Sequence, residues 1–331
     1  MALTTVDGGL LSSTNAQYTG FKNRIINGGM RVSQRGTVSV SAGSPAYTLD
    51  RWRINPTGAS TSVTQGTVGF GNQTYALQLN GATSLTNVEV QQRIEQANCY
   101  DLASTNVTVS FWMYTNKSTG VSGAQLSLVA PSAADNWSSQ ISGSATTYTI
   151  PSFAQNTATF VSYTFTTNAN VANGLGILIN TNTATVSGEW IQITGVQLEK
   201  GSTATSFDYR PYGTELALCQ RYCQYAGSGA NGSFENATTI QIMEKCVVTM
   251  RGAPSGAIYS GVTAAFRSLG TDFTAASPAL ANYLAQSSNV GGTSFWTQVT
   301  GFTGGTTNAT VTARNNQVSN GGNFILLTSE L

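Results

Sequence analysis

There is no histidine anywhere in the 331 residues, and that absence removes Ser-His-Asp triads, Cys-His pairs and most zinc catalysis, all of which need an imidazole as base or ligand. Charge is scarce as well. Fifteen Lys and Arg against fourteen Asp and Glu leave a formal net charge of +1, too weak a field to gather nucleic acid or an anionic membrane surface. The phosphate-cradling pattern G-x-x-x-x-G-K-[ST] does not occur, and Gly clusters such as Gly227–Gly232 lie in polar stretches that read as loops. No apolar run approaches the length of a membrane span, and Met1–Gly20 lacks the basic start and apolar core of a secretory leader. The expectation is synthesis in the cytosol without membrane insertion. The four cysteines, Cys99, Cys219, Cys223 and Cys246, contain no C-x-x-C pair. Cys219 and Cys223 are four apart in a helical pattern, near enough to share a soft metal, but buried apolar thiols are the reading adopted here. No metal and no cofactor are expected.

What the chain does contain is Ser, Thr, Asn, Gln and 35 glycines, a composition suited to exposed strand faces and tight turns. Residues 1–21 show little hydrophobic periodicity and read as an arm held by a partner. Next, KNRIINGGMRVSQRG (22–36) alternates after an Asn-Gly-Gly turn and reads as a hairpin, followed by YTLDRWR (47–53). Period-two patterns then mark strands at YALQLNG from Tyr75, VEVQQRIEQ, NVTVSFWMYT, Ala124–Ala130, Thr159–Thr166, Gly176–Asn180 and WIQITGVQLE. About eight strands of this kind are enough for two packed antiparallel sheets. The stretch GEWIQITGVQLEKGSTATSFDYRPYG (188–213) is where the chain turns over, because TELALCQRYCQY (214–225) after it is helical, with Leu216, Cys219, Tyr222 and Cys223 on one stripe and Thr214 or Gly213 as its cap. Beyond it lie strands at Thr239–Met243, Cys246–Met250, Gly256–Gly261, Ala264–Leu269, Ser294–Gly301, Asn308–Ala313 and a strongly apolar NFILL at Asn323–Leu327. The reading is all-β: an arm (1–21), a β-sandwich (22–212) and a helix plus second β-domain (213–331), two jelly-roll-like sandwiches joined by one short amphipathic helix.

Carboxylate pairs and aromatic platforms are the chemistry left to weigh. Asp50, Glu89, Glu95, Glu189, Glu199 and Asp208 could supply a glycosidase pair, although structural ion pairs imitate such sites readily. Aromatic residues are the stronger lead, because sugar rings stack their apolar faces on Trp and Tyr while amides take the hydroxyls. Trp52 and Trp190 read as core; Trp112 falls out of phase with Phe111 and Met113; Trp296 lies in the second part. Trp137 sits in PSAADNWSSQ, read as a loop, with Asp135 and Asn136 beside it, and these three form the candidate glycan site. No catalytic and no metal-binding residue is assigned.

Residues 22–210, through the succession YALQLNG, VEVQQRIEQ, VTVSFWMYT, FVSYTFT and WIQITGVQLE, resemble galactose-binding-like carbohydrate-binding modules, which implies their sandwich fold and suggests a sugar ligand. The flanking motifs NRIINGGMRVSQRGT with YTLDRW, and GVQLEKGSTATSFDYRPYGTELALCQRYCQY, resemble segments of tailed-bacteriophage virion proteins, particularly tail-fibre, receptor-binding and head-attached proteins. That resemblance implies a non-enzymatic virion protein assembled in the host cytoplasm. Its arm would be fixed to other virion proteins, its β-domains would face outward, often as a homotrimer, and host-surface glycan would be its target. A capsid decoration, cement or neck protein is the alternative, and a glycan-cleaving enzyme using a carboxylate pair a third reading. No nucleic-acid partner is expected.

Overall fold

The computed structural model describes residues 22–226, 231–258, 264–268, 271–275, 279–287, 292–305, 309–313 and 325–331. The expected arm, 1–21, lies outside them, as does most of the Gly227–Gly232 cluster. The chain forms two compact units, Met1–Glu215 together with Leu331, and Leu216–Glu330.

In the first unit the strands are β1 (Val38–Val40), β2 (Ala46–Tyr47), β3 (Arg53–Thr57), β4 (Thr61–Thr67), β5 (Tyr75–Asn80), β6 (Asn87–Ile94), β7 (Asn106–Thr115), β8 (Gln125–Ala133), β9 (Asn136–Thr149), β10 (Thr159–Thr166), β11 (Leu175–Asn180) and β12 (Trp190–Lys200). They make two six-stranded sheets, β1-β4-β5-β12-β7-β10 and β2-β3-β6-β11-β8-β9. The chain crosses between the sheets at β1–β2, β3–β4, β5–β6, β6–β7, β7–β8, β9–β10, β10–β11 and β11–β12, the jelly-roll-like habit. Alternation explains which faces meet. On β7, Val107, Val109, Phe111 and Met113 are fully buried, while Trp112 and Tyr114 on the other side stay half-exposed. On β12, Ile191 and Ile193 point inward, and then a bulge at Gly195 (φ 62°) shifts the register between Thr194 and Gln197. The extra residue returns Val196 and Leu198 to the core side. Ile54, Val90, Leu126, Leu128, Ile177 and Ile179 from the second sheet complete one shared core.

The motifs flanking this sandwich come together. Residues 22–36 contain no strand, which corrects the expected hairpin: the Asn-Gly-Gly segment is a turn whose polar groups are spent on other parts of the unit. Asn23 donates from Nδ2 to Val196 O (3.1 Å) and accepts at Oδ1 from Leu198 N–H (3.1 Å). Asn27 adopts φ 57° and bonds the backbone of Val32 and Asp50, while its own carbonyl accepts from Trp52 Nε1 at 3.1 Å. Gly28 has no room for a side chain, since a Cβ there would stand 2.1 Å from Val196 O. From the exit segment, Arg210 donates to Ile25 O (2.8 Å) and to Asn23 O, and pairs with Glu215 at 3.3 Å; Glu215 also accepts from Asn27 N–H. Entrance and exit of the sandwich are thus bolted to one another through buried polar groups.

The α-helix, α1 (Tyr212–Gln220), begins two residues before the expected Thr214, because the carbonyl of Pro211 accepts from Glu215 N–H (3.1 Å). It also ends earlier than expected. Tyr222 N–H bonds Cys219 O in a tightened last turn, and residues 223–226 leave as a strand pairing Ile325–Thr328. Cys219, Tyr222 and Cys223 are buried as expected, Cys223 from that strand, but Leu216 is only half-buried.

The second unit holds β13 (Cys223–Ala226), β14 (Asn231–Asn236), β15 (Thr239–Met250), β16 (Ser255–Ile258), β17 (Ala264–Ser268), β18 (Thr271–Ala275), β19 (Ala279–Ser287), β20 (Gly292–Thr300), β21 (Thr310–Ala313) and β22 (Ile325–Thr328). They form a three-stranded sheet, β13-β22-β16, and a seven-stranded sheet, β18-β17-β21-β14-β15-β20-β19. Phe234, Ile240, Ile242, Met250, Val299 and Phe302 pack with Ala226, Ile325 and Leu327 across the two. The apolar C-terminal run is the central strand of the smaller sheet, as its composition suggests. Asn231 and Gly232, expected in a loop, start β14; a Cβ at Gly232 would lie 1.9 Å from Gln241 O, so the close strand approach requires glycine.

Candidate functional site

The outer face of the first sheet carries the most developed site in this unit. Register aligns Thr64, Gln78, Gln192 and Tyr114 in one row across β4, β5, β12 and β7. The next row is Thr194, Trp112 and Phe160 across β12, β7 and β10. Trp190, opposite Asn80, flanks the first. Rings follow one another along this face: Trp190 to Tyr114 at 5.5 Å, Tyr114 to Phe70 at 5.1 Å, Phe70 to Trp112 at 6.3 Å and Trp112 to Phe160 at 5.1 Å between centroids. None of the pairs is stacked flat; the interplanar tilts are 30–55°.

Phe70 reaches this face because the β4–β5 loop folds back on the sheet. Val68 N–H bonds Thr74 O (3.0 Å), and Gly71 (φ 62°) passes so close to Trp112 that a Cβ would meet its Cδ1 at 2.6 Å. The loop is tied by Gln73, whose Nε2 donates to the Tyr209 hydroxyl at 3.0 Å, while that hydroxyl donates to Asn72 O. Partial burial, opposed by the nearby Arg31 charge, raises the Tyr209 phenol above its ordinary range. The loop divides the face into two depressions. One, of about 760 Å³, is lined by Phe70, Tyr114 and Trp190 with Gln65, Gln78 and Gln192. The other, of about 510 Å³, is lined by Trp112, Phe160, Phe207 and Tyr209 with Gln73 and Gln197.

The amides are fixed in place. Gln192 Nε2 donates to Gln78 Oε1 (2.8 Å), Gln78 Nε2 to Asn80 Oδ1 (2.9 Å), and Asn80 Nδ2 to Ser62 O (2.9 Å). Gly66 makes space for this chain, since a Cβ would lie 2.6 Å from Gln192 Nε2. Gln197 is held by Glu199 (2.9 Å) and by Asp208 N–H (2.8 Å). Such a surface can stack apolar rings and exchange hydrogen bonds with hydroxyls without reorganising.

The three residues singled out from sequence do not converge. Trp137 is on β9, not in a loop, and is only 7% exposed. Its ring packs where a Cβ on Gly176 would be 3.2 Å away, under the Arg93 guanidinium at 5.0 Å from the centroid. Its open face is therefore taken by protein. Asp135 (φ 52°) caps Gln96 N–H at 2.8 Å, and Asn136 is exposed and bonds Ser138. Trp52 is buried core, whereas Trp190, expected there too, is half-exposed on the outer face of the first sheet. The period-two pattern Trp190-x-Gln192-x-Thr194, set against Ile191 and Ile193, was the signal for it. The Trp296 side chain lies outside the described residues.

The acidic candidates are spread through structural contacts. Asp50 accepts from Gln34, Glu89 is 3.7 Å from Arg53, Glu189 is 3.9 Å from Lys117, Glu199 accepts from Thr205, and Asp208 accepts from Lys22 N–H. Glu95 is buried, with its carbonyl accepting from Asn98 N–H. Among the described residues no group of three His, Cys, Asp or Glu is placed to hold a metal, and no helix is long and apolar enough to cross a membrane.

No family model matches the chain, and no curated protein matches it. Among solved structures it is similar to the enzymatically active domain of tailspike protein 4 from bacteriophage CBA120 (16% identity, TM-score 0.37, 54% of this chain and 22% of that one). It is likewise similar to a putative sugar binding protein from Bacteroides thetaiotaomicron (12%, 0.37, 54% and 100%) and to TmCBM61 in complex with beta-1,4-galactotriose (15%, 0.31, 54% and 99%). The chain thus spans about a fifth of the tailspike chain. Likeness at this level assigns neither a family nor a ligand.

Proposed function

We propose that this chain is a non-enzymatic bacteriophage virion protein, a short tail fibre or receptor-binding protein, that holds host-surface glycan on the outer face of its first sheet. The observation that carries the glycan part is the row Trp190, Tyr114, Phe70, Trp112 and Phe160 interleaved with the fixed amides Gln78, Gln192 and Gln197. Half-buried aromatics with open faces bind the apolar side of a sugar ring, and pre-set amides bind its hydroxyls at little entropic cost. The non-enzymatic part is what the resemblance of the flanking motifs to virion proteins implies. The virion part is supported by the resemblance of the flanking motifs. In this reading residues 1–21 anchor the chain to other virion proteins, the assembly is a homotrimer, and weak single sites gain from avidity.

The test mixes purified protein with host cells and with particles lacking it, alongside a deletion of residues 1–21 and a Trp190→Ala variant. Cell binding that survives the deletion and is lost in Trp190→Ala supports the receptor role. A second reading, a capsid decoration or neck protein, is favoured by Met243 and Val247, which are 66% and 73% exposed on β15 and offer an apolar contact for another protein. Binding to particles alone, unaffected by Trp190→Ala, selects it.

A further inference from the structure

Resting on the glycan reading, we infer that the ligand is an uncharged, extended oligosaccharide that lies across both depressions, with Phe70 at the boundary between two subsites. Neither depression is lined by Asp, Glu, Lys or Arg. Of the carboxylates close to the second depression, Glu199 is buried and accepts from Gln197 Nε2, Thr205 N–H and Thr205 Oγ1, and Asp208 accepts from the Lys22 and Asn23 N–H groups. Arg31, at the rim, sets its guanidinium 5.6 Å from the Tyr212 ring. Lys22, also at the edge of the second depression, has its Nζ on Thr205 Oγ1 at 2.6 Å. An anionic sugar lying across both depressions would lose its hydration with counter-charges only at this one rim and none in the first depression, so the site favours neutral units over uronic, sialic and sulfated ones.

Shape supplies the second half. Each depression alone, at about 760 and 510 Å³, is the size of a single small-ligand pocket. They adjoin at the β4–β5 loop, where Phe70 lines one and Gly71 the other. Tyr114 and Trp112, two apart on one side of β7, give each a platform, roughly 7 Å from one another along the strand. A chain crossing Phe70 therefore meets aromatic faces and amides on both sides. An extended peptide would be read differently. β5, β12 and β7 are interior strands whose backbone groups are already paired; the edge on this side is β10, beyond Trp112, so strand addition is confined to that edge, and across the two depressions side chains must do the recognising.

The experiment titrates the full chain with neutral gluco-, galacto-, manno- and xylo-oligosaccharides from one to six units, and with polygalacturonate, sialylated and sulfated oligosaccharides, at low and high salt. Affinity for a neutral series is expected to rise about tenfold or more as length comes to span both subsites, with no dependence on salt. Trp190→Ala and Phe160→Ala, one in each depression, should each weaken the long ligand, while the shortest bound ligand responds to only one of them. Circular dichroism checks that both variants fold; Phe160, 48% exposed, is the safer of the two. Binding confined to anionic glycans with steep salt dependence, or affinity independent of length, overturns the inference while keeping the glycan reading. Retention of no glycan of either kind overturns the reading itself.

Discussion

Trp137 and Trp190 are both strand residues, and their neighbours give them opposite roles. Trp137 is enclosed by Arg93 and by the close backbone at Gly176, so Trp137→Ala should cost about 3–5 kcal/mol, the usual toll for emptying a core aromatic site. Trp190 has its ring 5.5 Å from that of Tyr114 and is half-exposed; Trp190→Ala should lower the melting temperature less than Trp137→Ala and abolish most binding to the sheet face. Thermal melts and glycan titrations on the two variants should move in opposite senses. Cys99 offers a pH test at the same scale. Burial first, then the nearby Asp135 and Asp101 charges, push its thiol up to about 12. A raised thiol pKa means the native state keeps a proton that the unfolded chain gives up. Stability from this group is whole below pH 9 and lost as pH rises from there toward 12. Denaturant midpoints across that range should fall less steeply in Cys99→Ala, and native Cys99 should resist alkylation at pH 8.5, since the thiolate is the nucleophile.

At the scale of elements, the polar bolt between entrance and exit is the least replaceable feature of the first unit. Glu215 accepts from Asn27 N–H and from Arg210, and the side chains of the ion pair are 5% and 10% exposed. Glu215→Ala removes the carboxylate that faces the buried Arg210 guanidinium, which should cost about 3–5 kcal/mol. A change at half-buried Leu216, one residue on, should cost much less. Urea midpoints of Glu215→Ala and Leu216→Ala compare the two directly. The elements themselves were legible where period two was clean: β5, β7, β10 and β12 follow their apolar alternation within a residue or two. β4 (TSVTQGT) and most of β9 (NWSSQISGSATTYT) carry too few apolar residues to show a face, and β9 takes its shape from pairing with β8. The flanking motifs were visible as distinctive strings, but their meaning was not. Their Asn, Arg and Glu side chains are specified by contacts across more than 170 residues of sequence. The ligand face was hidden for the same reason. Gln78 meets Gln192, and Trp112 meets Phe160, only through register, whereas Trp137, Asp135 and Asn136 are adjacent in sequence and diverge in space.

For the whole molecule, the separation of cores sets how it should unfold. Among the described residues, the first core runs from Ile25 to Leu198 and the second from Ala226 to Leu327. Each buries enough to form its own cooperative unit, so heat should melt the chain in more than one step, and a single ΔG should not describe it. A fragment spanning 22–215 retains every described residue of the first core, the bolt through Glu215 and both depressions of the outer face. What it lacks is Leu331, which belongs to this unit and whose carbonyl oxygen accepts from Tyr47 and from Arg93 at 2.6 Å each. Burial lowers the pKa of the Arg93 guanidinium, so losing an acceptor there is felt more than at an exposed arginine. A hydrogen bond to a charged group is worth about 1.5–3 kcal/mol, and at this size each kcal/mol moves the midpoint by roughly 2–4 °C. The fragment is therefore expected to melt in one transition, some degrees below the matching transition of the full chain, and to bind the same ligands with unchanged affinity. Calorimetry and titration on the fragment check both parts. A fragment that melts without cooperativity would mean that the first unit depends on the second for its fold, whereas a cooperative fragment that no longer binds would move the ligand site out of the first sheet.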